Sequence, residues 1–95
     1  MPRYISLLRF TELGARAIKN SPHRALDFRQ AAARAGVQVE AQYWTFGSHD
    51  GLLILNADTA EAALHCLTEL AAAGNVRAET MRAFDAHEFA QVAGS

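Results

Sequence analysis

The chain has 95 residues, of which 51% are hydrophobic, and its 9 Lys+Arg against 10 Asp+Glu leave a formal net charge of −1. A chain of this length makes one small domain whose core buries roughly 65% of the surface that the unfolded chain exposes. This composition excludes a disordered or collagen-like chain, and a single cysteine excludes a disulfide scaffold. The balanced charge argues against electrostatic recruitment, so we expect neither nucleic acid nor a membrane surface as a partner.

The amino-terminal segment and the lone cysteine bear on localisation. The first ten residues, MPRYISLLRF, lack the long apolar segment and the small-residue cleavage site of a signal peptide. No apolar run in the sequence approaches the ~20 residues that a membrane-spanning helix needs. Cys66 has no intramolecular partner and is compatible with a reducing compartment. These features predict a cytoplasmic protein.

The first predicted elements are a strand and two helices. Residues 3 to 10, RYISLLRF, are β-branched, aromatic or apolar at most positions and predict a strand. A helical pattern follows and is interrupted at Ser21 and Pro22, which are typical of a helix cap and of a first helical residue. The second helix then runs to Gly36, a glycine expected to end it. Its predicted buried stripe consists of Ala25, Phe28, Ala32 and Ala35.

A hairpin is predicted next. Residues 37 to 46, VQVEAQYWTF, alternate along the sequence and predict an amphipathic strand. On this alternation Gln42 and Trp44 point to the same side as the other even-numbered residues of the strand. Residues 47 to 51 are turn formers, and the apolar run at 52 to 55 predicts a strand that is buried on both faces.

The remaining sequence predicts a helix, a strand and a tail. Asp58 and Glu61 have the spacing of a capping box at the start of the helix, and Gly74 is expected to end it. Residues 76 to 84 alternate again and predict a last strand. The tail, from residue 85, predicts a short helix capped by Asp85 and Glu88.

The order of these elements, βαββαβ and a tail, matches the split βαβ motif of the ferredoxin-like α+β fold. It predicts a four-stranded antiparallel sheet with two helices on one face and with the first and third strands at its centre. Both central strands are apolar on both faces, and a large exposed apolar patch is rare on a monomer. We therefore expect a homodimer packed sheet to sheet, a dimeric α/β barrel. The predicted domain comprises residues 1–84, with a short C-terminal helix or tail at 85–95.

The hairpin turn has a recognisable pattern. Residues 44 to 51 read WTFGSHDG, and the opening strand with Thr11-Glu12, the Ser21-Pro22 break and the segment Gly74-Asn75-Val76-Arg77 accompany it. In these segments the chain resembles the GYD-domain family, named for a Gly-x-Tyr-Asp turn in the hairpin. The resemblance implies a ferredoxin-like dimeric α/β barrel, found mostly in bacterial and archaeal proteins without an assigned activity. His49 stands where the name-giving tyrosine is expected, while Gly47 and Asp50 are kept.

Few residues are candidates for chemistry. Ser48, His49 and Asp50 are consecutive, whereas a hydrolytic triad needs side chains that converge from separate segments, so we expect Asp50 to accept backbone N–H bonds within the turn. His49 at the hairpin tip could still act as an acid, a base or a ligand contact. The four histidines are scattered without an i,i+4 pair, and no Gly-rich loop precedes a helix, so neither a metal nor another cofactor is predicted.

The candidate ligand-pocket or interface residues combine aromatic and hydrogen-bonding groups beside the apolar central strands. Such a mixture fits a small-molecule pocket or the margin of a dimer interface. We expect Tyr4 and Ser6 to lie on the dimer side, together with polar residues of the edge strands. The full set is Tyr4, Ser6, Gln42, Trp44, His49, Asp50 and Arg77.

Two functional hypotheses follow. The first is a homo-oligomeric small-molecule-binding or regulatory protein without catalysis, with a second copy of itself and a small-molecule ligand as partners. The alternative is a small cofactor-independent enzyme, oxygenase-like or isomerase-like, with His49 as base and a pocket between the sheet and the partner subunit. The second hypothesis depends on fold analogy, which is weak evidence for function.

Overall fold

The structure, a computed structural model, describes residues 1–94. In chain order the elements are β1 (Arg3–Phe10), α1 (Glu12–Arg16), a 3₁₀ turn (Ile18–Asn20), α2 (Ser21–Arg34), β2 (Val37–Trp44), β3 (Gly51–Ala57), α3 (Ala60–Ala72), β4 (Val76–Ala83) and α4 (Ala86–Gly94). This order confirms the predicted βαββαβ arrangement followed by a C-terminal helix. The second strand ends two residues earlier than predicted, at Trp44.

One antiparallel sheet is formed in the order β2-β3-β1-β4, so the two apolar strands are central, as predicted. Helices α2 and α3 pack on one face, which makes this a ferredoxin-like α+β fold. Small side chains dominate the helix surfaces in the core and allow close packing on the sheet. The buried core residues are Leu8, Ala32, Val37, Val39, Leu53, Leu55, Ala57, Ala63, Cys66 and Leu67.

The other face of the sheet, called the open face below, bears the alternate side chains of the same strands. Ile5 pairs with Ile54, and Leu7 pairs with Leu52, across the two central strands. These four side chains are half-buried, whereas their neighbours along each strand are packed beneath the helices. We call them the apolar strip. Helices α2 and α3, which pack on the sheet, lie on the opposite face.

A bulge in β2 overturns part of the predicted alternation. It inserts Glu40 as an extra residue, and an extra residue reverses the face of every later side chain in a strand. Gln42 therefore pairs with the buried Leu53 and lies on the helix side of the sheet, as Trp44 also does. The prediction that Gln42 and Trp44 share the open side with Gln38 is wrong for this reason.

Two predicted helix caps are replaced by neighbouring residues. Ser21 is the first residue of α2 rather than its cap, and its hydroxyl accepts a hydrogen bond from Trp44 Nε1 at 2.9 Å. Thr59 caps α3 by accepting a backbone N–H at 3.1 Å, one residue after the predicted Asp58. Ala35 ends α2 and is exposed, so it does not belong to the buried stripe.

The backbone of α1 packs closely against the backbone of the residues just before β4, at a place called the junction below. A Cβ added at the buried Gly14 would lie 1.9 Å from the carbonyl oxygen of Asn75. Thr11 ties the same place, since its N–H donates to the Asn75 carbonyl at 3.1 Å and its hydroxyl donates to the Gly74 carbonyl at 2.6 Å. The junction fixes Asn75, which lines the cavity described below.

Helix α4 leaves the sheet after β4. Asp85 and Glu88 exchange side-chain to backbone hydrogen bonds of 2.9 and 2.8 Å, the capping box that the sequence predicts. Phe89 and Val92 of this helix remain more than half exposed.

Candidate ligand cavity and open sheet face

A cavity of about 350 Å³ lies between α2, α3 and the end of the sheet where β1 and β2 finish. Ligand pockets commonly measure roughly 300–1,000 Å³, so this volume fits a small ligand. Large apolar side chains from both helices and all four strands supply most of its wall. They include Phe10, Phe28, Trp44, Leu53, Leu70 and Val76.

The wall nearest the hairpin is held by Trp44. Its indole Nε1 donates to the hydroxyl of Ser21, which is buried at the first turn of α2. The hydrogen bond connects the end of β2 to α2 and holds the indole in the cavity wall. Because of the bulge at Glu40, Trp44 lies on the helix side, which simple alternation along β2 does not predict.

Asp50 closes the base of the hairpin. Its Oδ2 accepts the Phe10 N–H at 2.8 Å, and its own N–H donates to the Leu8 carbonyl at 2.7 Å. Its carbonyl accepts the Thr45 N–H at 2.9 Å. Asp50 accepts a backbone N–H as the sequence predicts, but from Phe10 of β1 rather than within the turn, and it lines the cavity.

Arg24 is a cavity residue that the sequence reasoning missed. Its Nη1 donates to the Ala17 carbonyl at 2.8 Å, while its Nη2 is buried with no acceptor among the described residues. A buried charged donor without an acceptor costs roughly 1–3 kcal/mol or more. Arg24 precedes Phe28 by one helical turn, so its place on the inner stripe of α2 could have been read from the i,i+4 spacing.

Acidic groups lie near the cavity mouth. Asp27 has a side chain that is 64% exposed, and its Oδ2 lies 3.6 Å from His23 Nε2. Glu69 lines the cavity from α3 and is exposed. Among the residues that line this cavity in the described part of the chain, Arg24 is the one basic side chain.

His49 lies on the open face rather than at the cavity. Its Nε2 is 3.7 Å from Glu79 Oε1, with the two side chains 25% and 70% exposed. Ser48 Oγ is 3.2 Å from the ring Nδ1, and the Asp50 carboxylate is bound to the backbone of β1 instead of to the imidazole. Ser48, His49 and Asp50 thus form no hydrolytic relay.

Charged pairs flank the apolar strip. At one end Arg3 Nη2 lies 3.1 Å from Glu40 Oε1, and the hydrogen bond from Arg3 to this carboxylate raises the pKa of the guanidinium. At the other end is the pair of His49 with Glu79. The open face is therefore an apolar centre with groups of both charges at its margins.

The remaining predicted site residues, Tyr4, Ser6 and Arg77, do not line the cavity. Ser6 is fully buried on the helix side, 2.8 Å from Thr80 Oγ1, and Tyr4 packs against the core. The prediction that these two side chains face the dimer side is wrong, because their strand presents its odd-numbered residues there. Arg77 is exposed on β4 and pairs with the odd-numbered Arg9 of β1, so it lies on the open face. The structure thus brings Gln42, Trp44 and Asp50 together at the cavity.

Three further properties bear on chemistry. Burial raises the pKa of the Cys66 thiol, and the nearby Glu69 carboxylate raises it further. Within residues 1–94 no group of three or more His, Cys, Asp or Glu side chains is arranged to hold a metal ion. None of the helices in these residues is long and apolar enough to cross a membrane.

The order of elements and the four-stranded antiparallel sheet define this chain as a ferredoxin-like α+β protein. The profile of the GYD domain matches residues 4–93, so the chain belongs to the GYD-domain family. Among curated relatives, the "Glutamine synthetase and cystathionine beta-lyase binding protein" of Thermus thermophilus is 32% identical over 84 residues. That match covers 87% of this chain and 88% of the relative.

A solved structure supports the fold. The crystal structure of TTHA0845, also from Thermus thermophilus, superposes with a TM-score of 0.56 and covers 90% of this chain and 96% of that chain. Its sequence is 24% identical to this one, so the likeness shows a shared fold.

Proposed function

We propose that this protein is a binding or regulatory protein without catalysis, that it acts as a homodimer, and that its cavity takes a small molecule. The observation that carries the proposal is the apolar strip on the open face. Ile5, Leu7, Leu52 and Ile54 stand side by side on the two central strands, on the face opposite α2 and α3. Apolar side chains grouped in this way usually mark an interaction surface.

A second copy of the chain is the partner whose surface best matches the apolar strip. A two-fold interface brings the same patch of each subunit together, so an apolar centre meets an apolar centre. The margins carry Arg3 with Glu40 and His49 with Glu79, so each subunit offers both signs of charge to the other. Tyr43 and Met81 extend the apolar surface to the two edge strands and are 61% and 44% exposed.

Enzymes are the second class of partner in the proposal. The relative from Thermus thermophilus is named for binding glutamine synthetase and cystathionine beta-lyase. The match spans most of both chains, so we propose that this protein likewise associates with enzymes of this kind. Its own surface keeps large apolar side chains for such contacts beyond the strip, including the fully exposed Phe46 at the hairpin tip.

Light scattering during gel filtration tests the homodimer. We expect the wild-type protein to have twice the mass of the 10.3 kDa chain. Ile54→Glu places a charge in the centre of the strip and should give a monomer with native circular dichroism. Thr68→Glu, on the exposed face of α3, is the matched control and should remain dimeric.

A wild-type mass of one chain that does not change with concentration would contradict the homodimer. Enzyme association has a separate readout, co-elution with purified glutamine synthetase or cystathionine beta-lyase. If the wild-type protein co-elutes with neither enzyme, this part of the proposal is wrong.

The alternative, a small cofactor-independent enzyme, is favoured by one observation. His49 lies 3.7 Å from a carboxylate on the face where a partner subunit would dock, and such a pair can orient an imidazole as a base. The non-catalytic proposal is preferred because this pair lies across the sheet from the cavity, away from the site that fits a ligand.

A further inference from the structure

We propose that the cavity between α2, α3 and the sheet binds a small monocarboxylate with an aromatic or aliphatic body, and that Arg24 binds the carboxylate. This inference rests on the proposed function, because it names the chemical class of the ligand.

Arg24 supplies the polar part of the argument. One guanidinium nitrogen is already used, since Nη1 donates to the Ala17 carbonyl and thereby anchors the side chain against the turn before α2. Nη2 is buried and lacks an acceptor among the described residues, and Arg24 is one of the residues that line the cavity. Guanidinium groups bind carboxylates through charge-assisted hydrogen bonds, which are stronger than neutral ones. A carboxylate beside Arg24 would supply the missing acceptor once the guanidinium turns Nη2 towards the cavity.

The apolar walls supply the second part. Phe10, Phe28 and Leu70 line the cavity from β1, α2 and α3, and Trp44 is held in place by Ser21. A volume of about 350 Å³ accommodates one ring or a short branched chain beside a carboxylate. A pre-formed wall loses little entropy when it binds a ligand, which favours affinity for a small molecule.

The acidic residues of the cavity limit which ligand charges the site can accept. Asp27 and Glu69 stand at the mouth, and Asp50 keeps its carboxylate on the Phe10 N–H. A second carboxylate on the ligand would meet these groups and be repelled, whereas an ammonium group would be accepted. The site therefore selects a single carboxylate, either in a simple acid or in an apolar amino acid, and rejects dicarboxylates.

Titrations of the full-length protein followed by NMR test the inference. The probes are 3-phenylpropionate, its neutral amide, the dicarboxylate benzylmalonate, and phenylalanine. We expect 3-phenylpropionate to shift the Trp44 Nε1–H signal and to bind at least about tenfold more tightly than the amide, as expected for loss of one charge-assisted hydrogen bond. Benzylmalonate should bind more weakly than 3-phenylpropionate, and phenylalanine should bind comparably to it.

Arg24→Met removes the charge and keeps the length of the side chain. It should weaken binding of 3-phenylpropionate about tenfold and leave binding of the amide unchanged. Arg34→Met, on the exposed end of the same helix, is the matched control and should leave both unchanged. Ala25→Phe fills the cavity from α2 and should abolish binding of every probe. If Arg24→Met does not fold, the comparison of acid and amide on the wild-type protein decides.

Equal binding of acid and amide, or no binding of any probe at millimolar concentration, overturns the inference. The light-scattering mass and enzyme co-elution are measured on the same wild-type sample. A dimer that binds its enzyme partner and ignores the acids would therefore leave the proposed association intact while the ligand class fails. A monomer that binds the acid through Arg24 would contradict the proposed homodimer and support the ligand class.

Discussion

At Gly14 the backbone of α1 comes so close to the Asn75 carbonyl that only a hydrogen fits on the α-carbon, because a Cβ would lie 1.9 Å from that oxygen. The obstacle is backbone rather than a flexible side chain, so it cannot rotate away. We expect Gly14→Ala to lower the free energy of unfolding by about 1–3 kcal/mol or more, measured by urea denaturation. Gly94→Ala, where nothing lies within 4 Å, is the control and should be neutral or slightly stabilising. Equal urea midpoints for the two variants would contradict this account.

Single residues also show where sequence reasoning succeeds. Asp50 could be identified as an acceptor of backbone N–H bonds, because short acidic side chains commonly have this role at turns, although its donor is Phe10 of β1 rather than a residue of the turn. Arg24 could not be assigned to a cavity, because the gap it lines is formed by segments distant in sequence. Ser21 has the type and position of a helix cap, yet its hydroxyl accepts from Trp44, a partner brought to it by tertiary packing.

At the scale of the element, the bulge in β2 explains why Trp44 departs from simple alternation along the strand. Deleting Glu40 removes the extra residue and makes Val39 and Ala41 neighbours that keep their partners Leu55 and Ile54, so Trp44 should keep its face and its hydrogen bond to Ser21. We therefore expect an unshifted tryptophan emission maximum, which reports on one site because the chain has one tryptophan. Glu40→Gln keeps the extra residue and loses the charge facing Arg3, so its emission maximum should match that of the wild-type protein. A red-shifted emission in the deletion variant would contradict this reading of the bulge and of the register of β2.

At the scale of the whole molecule, a small alanine-rich core covers one sheet face and the apolar strip remains on the other. A homodimer couples stability to association, so we expect the thermal midpoint of the wild-type protein to rise with concentration, by roughly 3–6 °C for each tenfold increase. The midpoint of Ile54→Glu should be independent of concentration, and that of Thr68→Glu should follow the wild-type protein. A wild-type midpoint that stays constant over a hundredfold range in concentration would be inconsistent with an obligate dimer.

The sequence by itself determined the order of elements, the central place of the two apolar strands and membership of a family, since these follow from local periodicity and from residues adjacent in the chain. It also determined that one face of the sheet would be left apolar. Only the tertiary structure decided which side Gln42 and Trp44 occupy. One bulge residue inverts the alternation of β2, and the hydrophobic pattern of the sequence does not indicate where a bulge occurs. The tertiary structure likewise decided that Tyr4 and Ser6 lie under the helices and that Arg24 meets Phe10, Phe28 and Trp44 around a cavity. Those contacts join three or more distant segments, and their geometry is set by packing rather than by spacing along the chain.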